Sequence, residues 1–249
     1  MSSHHLTILT GGSRGLGLAV ARQLLQPGHR LLTISRQPTA LQAPADAMLE
    51  QWSADLATPA LVAARLAGWL RGIDPSTLAS ATLINNAGVV SQLAPLGEID
   101  ADDLASALRV GLEAPMLLTA AFLHASSGWR MPRKVLLVSS GLGRRAMAGS
   151  ASYCAAKAGL DHMARAVALE EAARPHGARI VSLAPGVIDT DMQVQLRGAD
   201  PALFPNREMF IGLKSGGQLD SPEQAAAKLL AYLQRSDFGS APVADVRDA

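Results

Sequence analysis

The segment from Leu6 to Gly17 reads Leu6-Thr7-Ile8-Leu9-Thr10-Gly11-Gly12-Ser13-Arg14-Gly15-Leu16-Gly17. A short apolar run ends in a glycine-rich turn, and Gly15 to Gln26 then carries a helical pattern. Glycines at a strand-to-helix turn let the chain reverse tightly. They also bring backbone N–H groups up to a pyrophosphate at the helix N-terminus. The spacing is Gly-x-x-x-Gly-x-Gly, not the Gly-x-Gly-x-x-Gly fingerprint, and no Lys-Ser/Thr follows as in a P-loop. Taken alone, the loop also reads as a plain tight turn. Its strand-to-helix setting makes Gly11, Ser13, Arg14, Gly15, Leu16 and Gly17 candidate cofactor contacts.

The same alternation continues outward. Candidate strands are Leu6–Thr10, Leu31–Ser35, Gln51–Ala54, Ala81–Asn85, Lys134–Ser139 and Arg179–Leu183. Helical patterns lie between them at Gly15–Gln26, Pro59–Arg71, Asp102–His124 and Ser152–Arg174. Apolar strands alternating with helices predict an α/β fold, a parallel sheet with helices on both faces. Thr58-Pro59 and Ser221-Pro222-Glu223-Gln224 read as helix starts, the second with a capping-box Gln. Gly177 reads as a helix stop. Residues 186–220 have weak periodicity and many glycines and prolines, which predicts an irregular lid or substrate-binding loop. No linker or repeat divides the chain, so 1–249 is expected to form a single domain.

Composition narrows the function classes. The chain has 249 residues, net charge +1, 49% hydrophobic and 17% charged residues. That balance argues against disorder. A domain of this size buries about three quarters of its unfolded surface and needs no staple. Near-neutral charge gives no reason to expect a nucleic-acid partner, and scarce aromatics argue against base stacking. The single Cys154 cannot form an intrachain disulfide and fits a reducing compartment, the cytoplasm. Met1–His5 is polar, Leu6–Thr10 is too brief for a signal-peptide core, and runs such as Met116–Leu123 are too short to span a membrane. No Cys/His cluster has zinc spacing, and His4-His5 reads as a solvated start.

The strand ends carry the candidate chemistry. Ser35-Arg36 closes the second strand, where a dinucleotide fold meets the adenosine ribose. An acid there would bind the 2′-OH of NAD, whereas an Arg accommodates the 2′-phosphate of NADP. Arg14 adds a second cation, and solvated arginines are the alternative. Asp55, followed by Leu56, could reach an adenine edge or simply occupy a turn. Asn85-Asn86-Ala87-Gly88 ends the fourth strand, as a close approach to the cofactor or an Asn-rich turn. Tyr153-x-x-x-Lys157 places an ammonium beside a phenol on one helix face, which predicts a lowered tyrosine pKa. Ser140, at the end of the preceding strand, could hold a carbonyl oxygen. Tyr-x-x-x-Lys alone is commonly a surface pair; the ordered set at successive strand ends gives it weight.

That ordered set resembles the short-chain dehydrogenase/reductase family over almost the whole chain. The matching positions are Thr10–Gly17, Asn85–Gly88, Ser140, Tyr153, Lys157, and Pro185-Gly186 followed by Thr190. The resemblance implies a Rossmann-type, doubly wound, seven-stranded parallel sheet and reversible hydride transfer to a carbonyl. It implies NADP(H) contacts from Pro185, Gly186, Val187 and Thr190 as well as from the residues above. Tyr153 would be the acid, Lys157 would hold the nicotinamide ribose and tune Tyr153, and Ser140 would orient the substrate. No metal enters this chemistry. Pairing through the two long helices, giving a homodimer or homotetramer, is also implied.

One departure stands out. Where the family carries an Asn that supports a water in the proton relay, this chain has Val110-Gly111-Leu112. The last third resembles sepiapterin reductases in Ala184–Gln193, Gly217–Asp220, Ala227–Leu230, Ser236–Phe238, Ser240 and Asp245. Benzil and related diketone reductases share much of this pattern. In the sepiapterin reductases a carboxylate near the C-terminus anchors the pterin, and Asp245 occupies the matching place; a solvated acid in a frayed tail is the alternative. The leading expectation is an NADPH-dependent carbonyl reductase of the sepiapterin-reductase type, acting on a vicinal dicarbonyl or an α-hydroxy-ketone side chain such as that of a pterin. The alternatives are a 3-oxoacyl or general ketone reductase, and an NADP(H)-binding sensor weakened by Gly111.

Overall fold

In the computed structural model, which describes residues 4–248, seven strands form one sheet in which every pairing is parallel. They are β1 (His4–Thr10), β2 (His29–Ser35), β3 (Met48–Ser53), β4 (Leu78–Asn85), β5 (Arg133–Val138), β6 (Arg179–Ala184) and β7 (Val243–Asp245). Their order across the sheet is β3-β2-β1-β4-β5-β6-β7. The order reverses between β1 and β4, so a crevice opens beyond the carboxyl ends of those strands, the usual ligand position in such sheets.

The strands read as apolar runs because both faces are covered. On one face Leu6, Ile8, Leu83 and Leu137 pack with Leu66 and Leu70 of α2 (Pro59–Arg71), Leu118 and Phe122 of α4 (Ala114–Ala125) and Leu160 of α5 (Ala151–Ala172). On the other, Leu9, Leu31, Leu136 and Leu183 pack with Val20 of α1 (Gly15–Leu24) and Leu229 and Leu233 of α8 (Pro222–Gln234). Burying a Leu, Ile or Phe side chain is worth about 1.5–3 kcal/mol, so these two layers dominate the fold's stability.

Several expectations need correction. The helix expected over Asp102–His124 is interrupted: α3 (Ala101–Leu108) and α4 flank a π-turn at Arg109–Glu113, where the Ala114 N–H bonds the Arg109 carbonyl. Gly111 is buried at its centre. Taken as one element, Ala101–Ala125 is long and apolar enough to cross a bilayer by length and composition; here it packs against α2 and α5. Residues 186–220 are not irregular. They hold α6 (Asp191–Gly198) and α7 (Arg207–Ser215), which share a small core of Leu196, Phe204 and Phe210 backed by Leu93 and Met147. His4 and His5 are the first residues of β1; His4 is half-buried, and His5 is exposed and bonds the Ser80 hydroxyl at 2.8 Å.

Helix starts divide. Ser221 makes the full capping box with Gln224 at α8. Thr58 does not cap α2; its hydroxyl donates to the Asp55 carbonyl instead. At Gly177 a side chain would meet the Glu171 carbonyl oxygen at 1.9 Å, so close backbone approach explains this glycine. The left-handed residue of that turn is His176.

Candidate active site

The glycine turn is held by the end of β4. The Thr10 hydroxyl accepts from the backbone N–H groups of Asn86 and Ala87, both at 3.0 Å. The Asn86 amide donates back to the carbonyls of Thr10 (3.0 Å) and Gly11 (3.2 Å). Asn85 is buried and reaches Thr119 on α4. The Asn-Asn pair is therefore a clamp, not a simple turn. Gly11 has φ +69°, and a Cβ on Gly17 would lie 2.0 Å from the Gly11 carbonyl oxygen, so neither position accepts a side chain. Arg14 occupies the N-cap of α1 and makes no cap bond. Among the described residues no side chain caps the first-turn N–H groups of α1, which could hold an anion such as a nucleotide phosphate.

The two candidate cations differ. Arg36 is exposed and makes no ion pair among the described residues. Arg14 instead holds Asp191 at the start of α6, at 3.1 Å, with both side chains mostly exposed. Asp55 is exposed, and one of its carboxylate oxygens closes a turn on the Ala57 N–H; Leu56 behind it is buried. Thr190 lies against the glycine turn, 3.4 Å from where a Cβ on Gly15 would stand. Gly186 turns with φ +84°, and the Val187 carbonyl accepts from Asp220. The structure thus brings Thr190 and the glycine loop to one crevice, with Ser13 and Leu16 on that same loop.

Ser140 follows β5 and caps a single 3-10 turn, Gly141–Gly143, its hydroxyl accepting from Leu142 N–H at 3.2 Å. Tyr153 opens α5. Lys157, one turn on, is buried (5% exposed), and its Nζ donates to the Val138 carbonyl at 2.7 Å. The ammonium lies 5.5 Å from the Tyr153 ring centre and 3.7 Å from a Cβ placed on Gly88. Burial pulls Lys157 down from 10.5 to about 8, against the pull of Asp161, which raises it. The expectation for Tyr153 reverses here: burial pushes its phenol up, and the attraction that opposes this comes from Ser140 rather than Lys157.

Asp245 lies on β7 opposite Ala184, at the carboxyl end of the sheet. It is neither frayed nor solvated, being 4% exposed. Its carboxylate is already engaged: Arg247 donates from Nε at 2.8 Å and Nη2 at 2.6 Å. A residue that sequence reading passed over sits beneath the site. Asp161 is 1% exposed and accepts from Ser139 and Ser182, at 2.6 and 2.7 Å. Its signal was a lone acid one helical turn beyond Lys157, on the face α5 turns to the sheet.

The family described as short chain dehydrogenase matches residues 5–200. Benzil reductase ((S)-benzoin forming) of Bacillus cereus is 34% identical over 235 residues, covering 93% of this chain and 94% of that one. Sepiapterin reductase of Rattus norvegicus is 33% identical over 258 residues, covering 97% and 95%. A crystal structure of a short-chain dehydrogenase/reductase from Burkholderia vietnamiensis is 35% identical, covers 99% of this chain and all of that one, and superposes with a TM-score of 0.65.

Proposed function

The chain belongs to the short-chain dehydrogenase family, oxidoreductases that act on carbonyl and alcohol groups with nicotinamide cofactors, and on that premise we propose that it is an NADPH-dependent reductase of vicinal dicarbonyls. The observation that carries this reading is Lys157, a buried ammonium fixed by Val138 beside Tyr153 and Gly88, in a fold whose glycine turn leads into a helix that no side chain caps. The name of the Bacillus relative supports an aromatic diketone as substrate.

The cofactor, when bound, supplies the hydride that attacks the carbonyl carbon. Tyr153 gives its proton to the carbonyl oxygen, so the product is an alcohol. A phenol held neutral by burial is suited to the role of acid. Lys157 carries the positive charge that stabilises the phenolate left behind and has N–H donors to spare for the nicotinamide ribose. Ser140 orients the carbonyl. Arg36 would hold the 2′-phosphate, and Asp55 and Leu56 would hold the adenine. Asn86, Ala87, Gly88, Pro185, Gly186, Val187 and Thr190 line the rest of the cofactor crevice. Residues 186–220 cover the substrate within a single 1–249 domain. Gly111 carries no relay side chain, so a relay to Lys157 would have to use backbone or water.

A pterin reading is favoured by one observation. The Arg247 guanidinium offers Asp245 two parallel N–H donors, the same pattern as a 2-amino-pyrimidine edge. A pterin would have to displace Arg247. Exposed Met116 on α4 and Leu169 on α5 support pairing of two copies through these helices, and the lone Cys154 fits the cytoplasm. NADPH oxidation with benzil, with sepiapterin and with a simple 3-oxoacyl thioester tests the proposal. Turnover of benzil is expected; oxidation with the thioester alone would make the chain a different ketone reductase.

A further inference from the structure

The mechanism proposed above uses Lys157 but not the carboxylate one helical turn below it. Asp161 is buried to 1% and accepts two hydroxyl hydrogen bonds on the same oxygen, Oδ1: Ser139 from the end of β5 and Ser182 from β6. Its other oxygen has no hydrogen-bond partner and faces the Arg144 guanidinium, with Nε at 3.4 Å. Arg144 in turn donates to the Ala244 carbonyl on β7 at 3.3 Å. The 3-10 turn that follows Ser140 lies directly on this group. A Cβ on Gly143 would come within 2.9 Å of both Asp161 Oδ2 and the Lys157 carbonyl oxygen.

We propose that Asp161 is a positioning residue: its buried charge keeps the Lys157 ammonium protonated, while its hydrogen bonds fix the strand end and turn that carry Ser140. Two serines would satisfy a neutral acceptor equally well. A formal charge in this place has a further effect, because residues four apart on a helix lie about 5–6 Å apart at Cβ. At that range an opposite charge favours the ionised form of a buried base. Burial alone penalises that form in Lys157, and Asp161 opposes the penalty.

The other charges near α5 sit on the elements packed against it: Arg144 on the Ser140 turn, Arg109 and Glu113 on the π-turn, and Asp103 on α3. Asp102 also lies on α3, Arg133 of β5 pairs with Glu171 of α5, Arg179 lies on β6 and Asp245 on β7, and α5 itself carries Tyr153, Cys154, His162, Arg165, Glu170 and Glu171 besides Lys157 and Asp161. The charge that bears on Lys157 is that of Asp161, and the cation that contacts Asp161 is Arg144.

The inference rests on the role proposed for Lys157, but its test does not require turnover. The chain has four lysines, Lys134, Lys157, Lys214 and Lys228, so lysine-selective 13Cε labelling gives a spectrum simple enough to follow. The Lys157 signal is the one lost in Lys157→Met. Its titration midpoint in the apoprotein is expected near 8. In Asp161→Asn, which keeps an acceptor for both serines, the midpoint should fall by roughly one pH unit or more. Ser182→Ala loosens the same cluster without touching the charge and should leave the midpoint in place. Should Asp161→Asn fail to fold, Arg144→Gln exposes Lys157 to the undiluted carboxylate, and the midpoint should rise. An unmoved midpoint in the folded variant, or an equal shift in Ser182→Ala, would overturn the inference. In active enzyme the alkaline limb of kcat should move with the midpoint. Failure of the wild type to reduce benzil would count against the proposed reaction and leave the titration readable.

Discussion

Lys157 gives one of its three N–H donors to the main-chain oxygen of Val138, 2.7 Å away, and so ties α5 to the end of β5 just before Ser139 and Ser140. This bond fixes the ammonium between the end of β5 and Gly88, which follows β4, beside the Tyr153 ring.

The burial of Lys157 has opposite effects on stability and activity. Its folded value, about 8, lies below the unfolded 10.5. Between these values the unfolded chain holds a proton that the folded chain does not, so this lysine makes stability rise with pH across that window. Below about 8 both states are charged and the whole burial cost is present. Activity should fall over the same window as the ammonium is lost. Lys157→Met should therefore be more stable than wild type at neutral pH, with the gap closing by up to roughly 3 kcal/mol as pH approaches 10.5. Denaturant unfolding of both proteins across pH checks this, and a gap that stays constant would contradict it.

Cofactor choice is expected to rest on Arg36. Arg36→Asp should raise the KM for NADPH by roughly ten- to a hundredfold and change that for NADH little, the scale of a lost charge-assisted phosphate contact. Arg14→Ala should matter less, since Arg14 is shared with Asp191 in an exposed pair. Equal use of both cofactors by the wild type would refute the reading of Arg36.

Asn86→Ala removes the two side-chain bonds from the end of β4 to the glycine turn and leaves the two backbone N–H bonds to the Thr10 hydroxyl. A loss of about 1–3 kcal/mol in stability is expected, together with weaker NADPH binding. Thermal unfolding and fluorescence titration measure the two effects. A turn that kept full NADPH affinity without Asn86 would show that the clamp does not shape the phosphate site.

The pair Asp245–Arg247 separates the substrate readings. If Arg247 occupies the position of a pterin edge, Arg247→Ala should lower the KM for sepiapterin and leave that for benzil unchanged. Asp245→Asn should weaken sepiapterin turnover alone. Equal effects on both substrates, or none, would remove the pterin reading.

Much of the fold was legible because its signals are local. Each buried strand shows a continuous apolar run, and the strand ends carry their polar residues in order. The helices α6 and α7 were not legible. Leu196, Phe204 and Phe210 bury mainly against one another and against Leu93 and Met147 from distant loops, so neither helix shows a full periodic face. The three-residue strand β7 is defined by its pairing with β6, which no local pattern announces. Tyr153 misled for a related reason. Helix spacing placed a cation near it, but the direction of its shift depends on burial, a property of the assembled fold. Asp161 escaped because its partners, Ser139, Ser182 and Arg144, come from three other segments.

The central claim is that the Tyr153 phenol delivers the proton that completes carbonyl reduction, and Tyr153→Phe tests it most directly. The substitution removes one hydroxyl from a side chain at the start of α5 and leaves the glycine turn, Arg36 and Lys157 in place. The rate of benzil reduction should fall by at least about a hundredfold while the Kd for NADPH stays close to that of wild type. Reduction by Tyr153→Phe at near-wild-type rate would contradict the account.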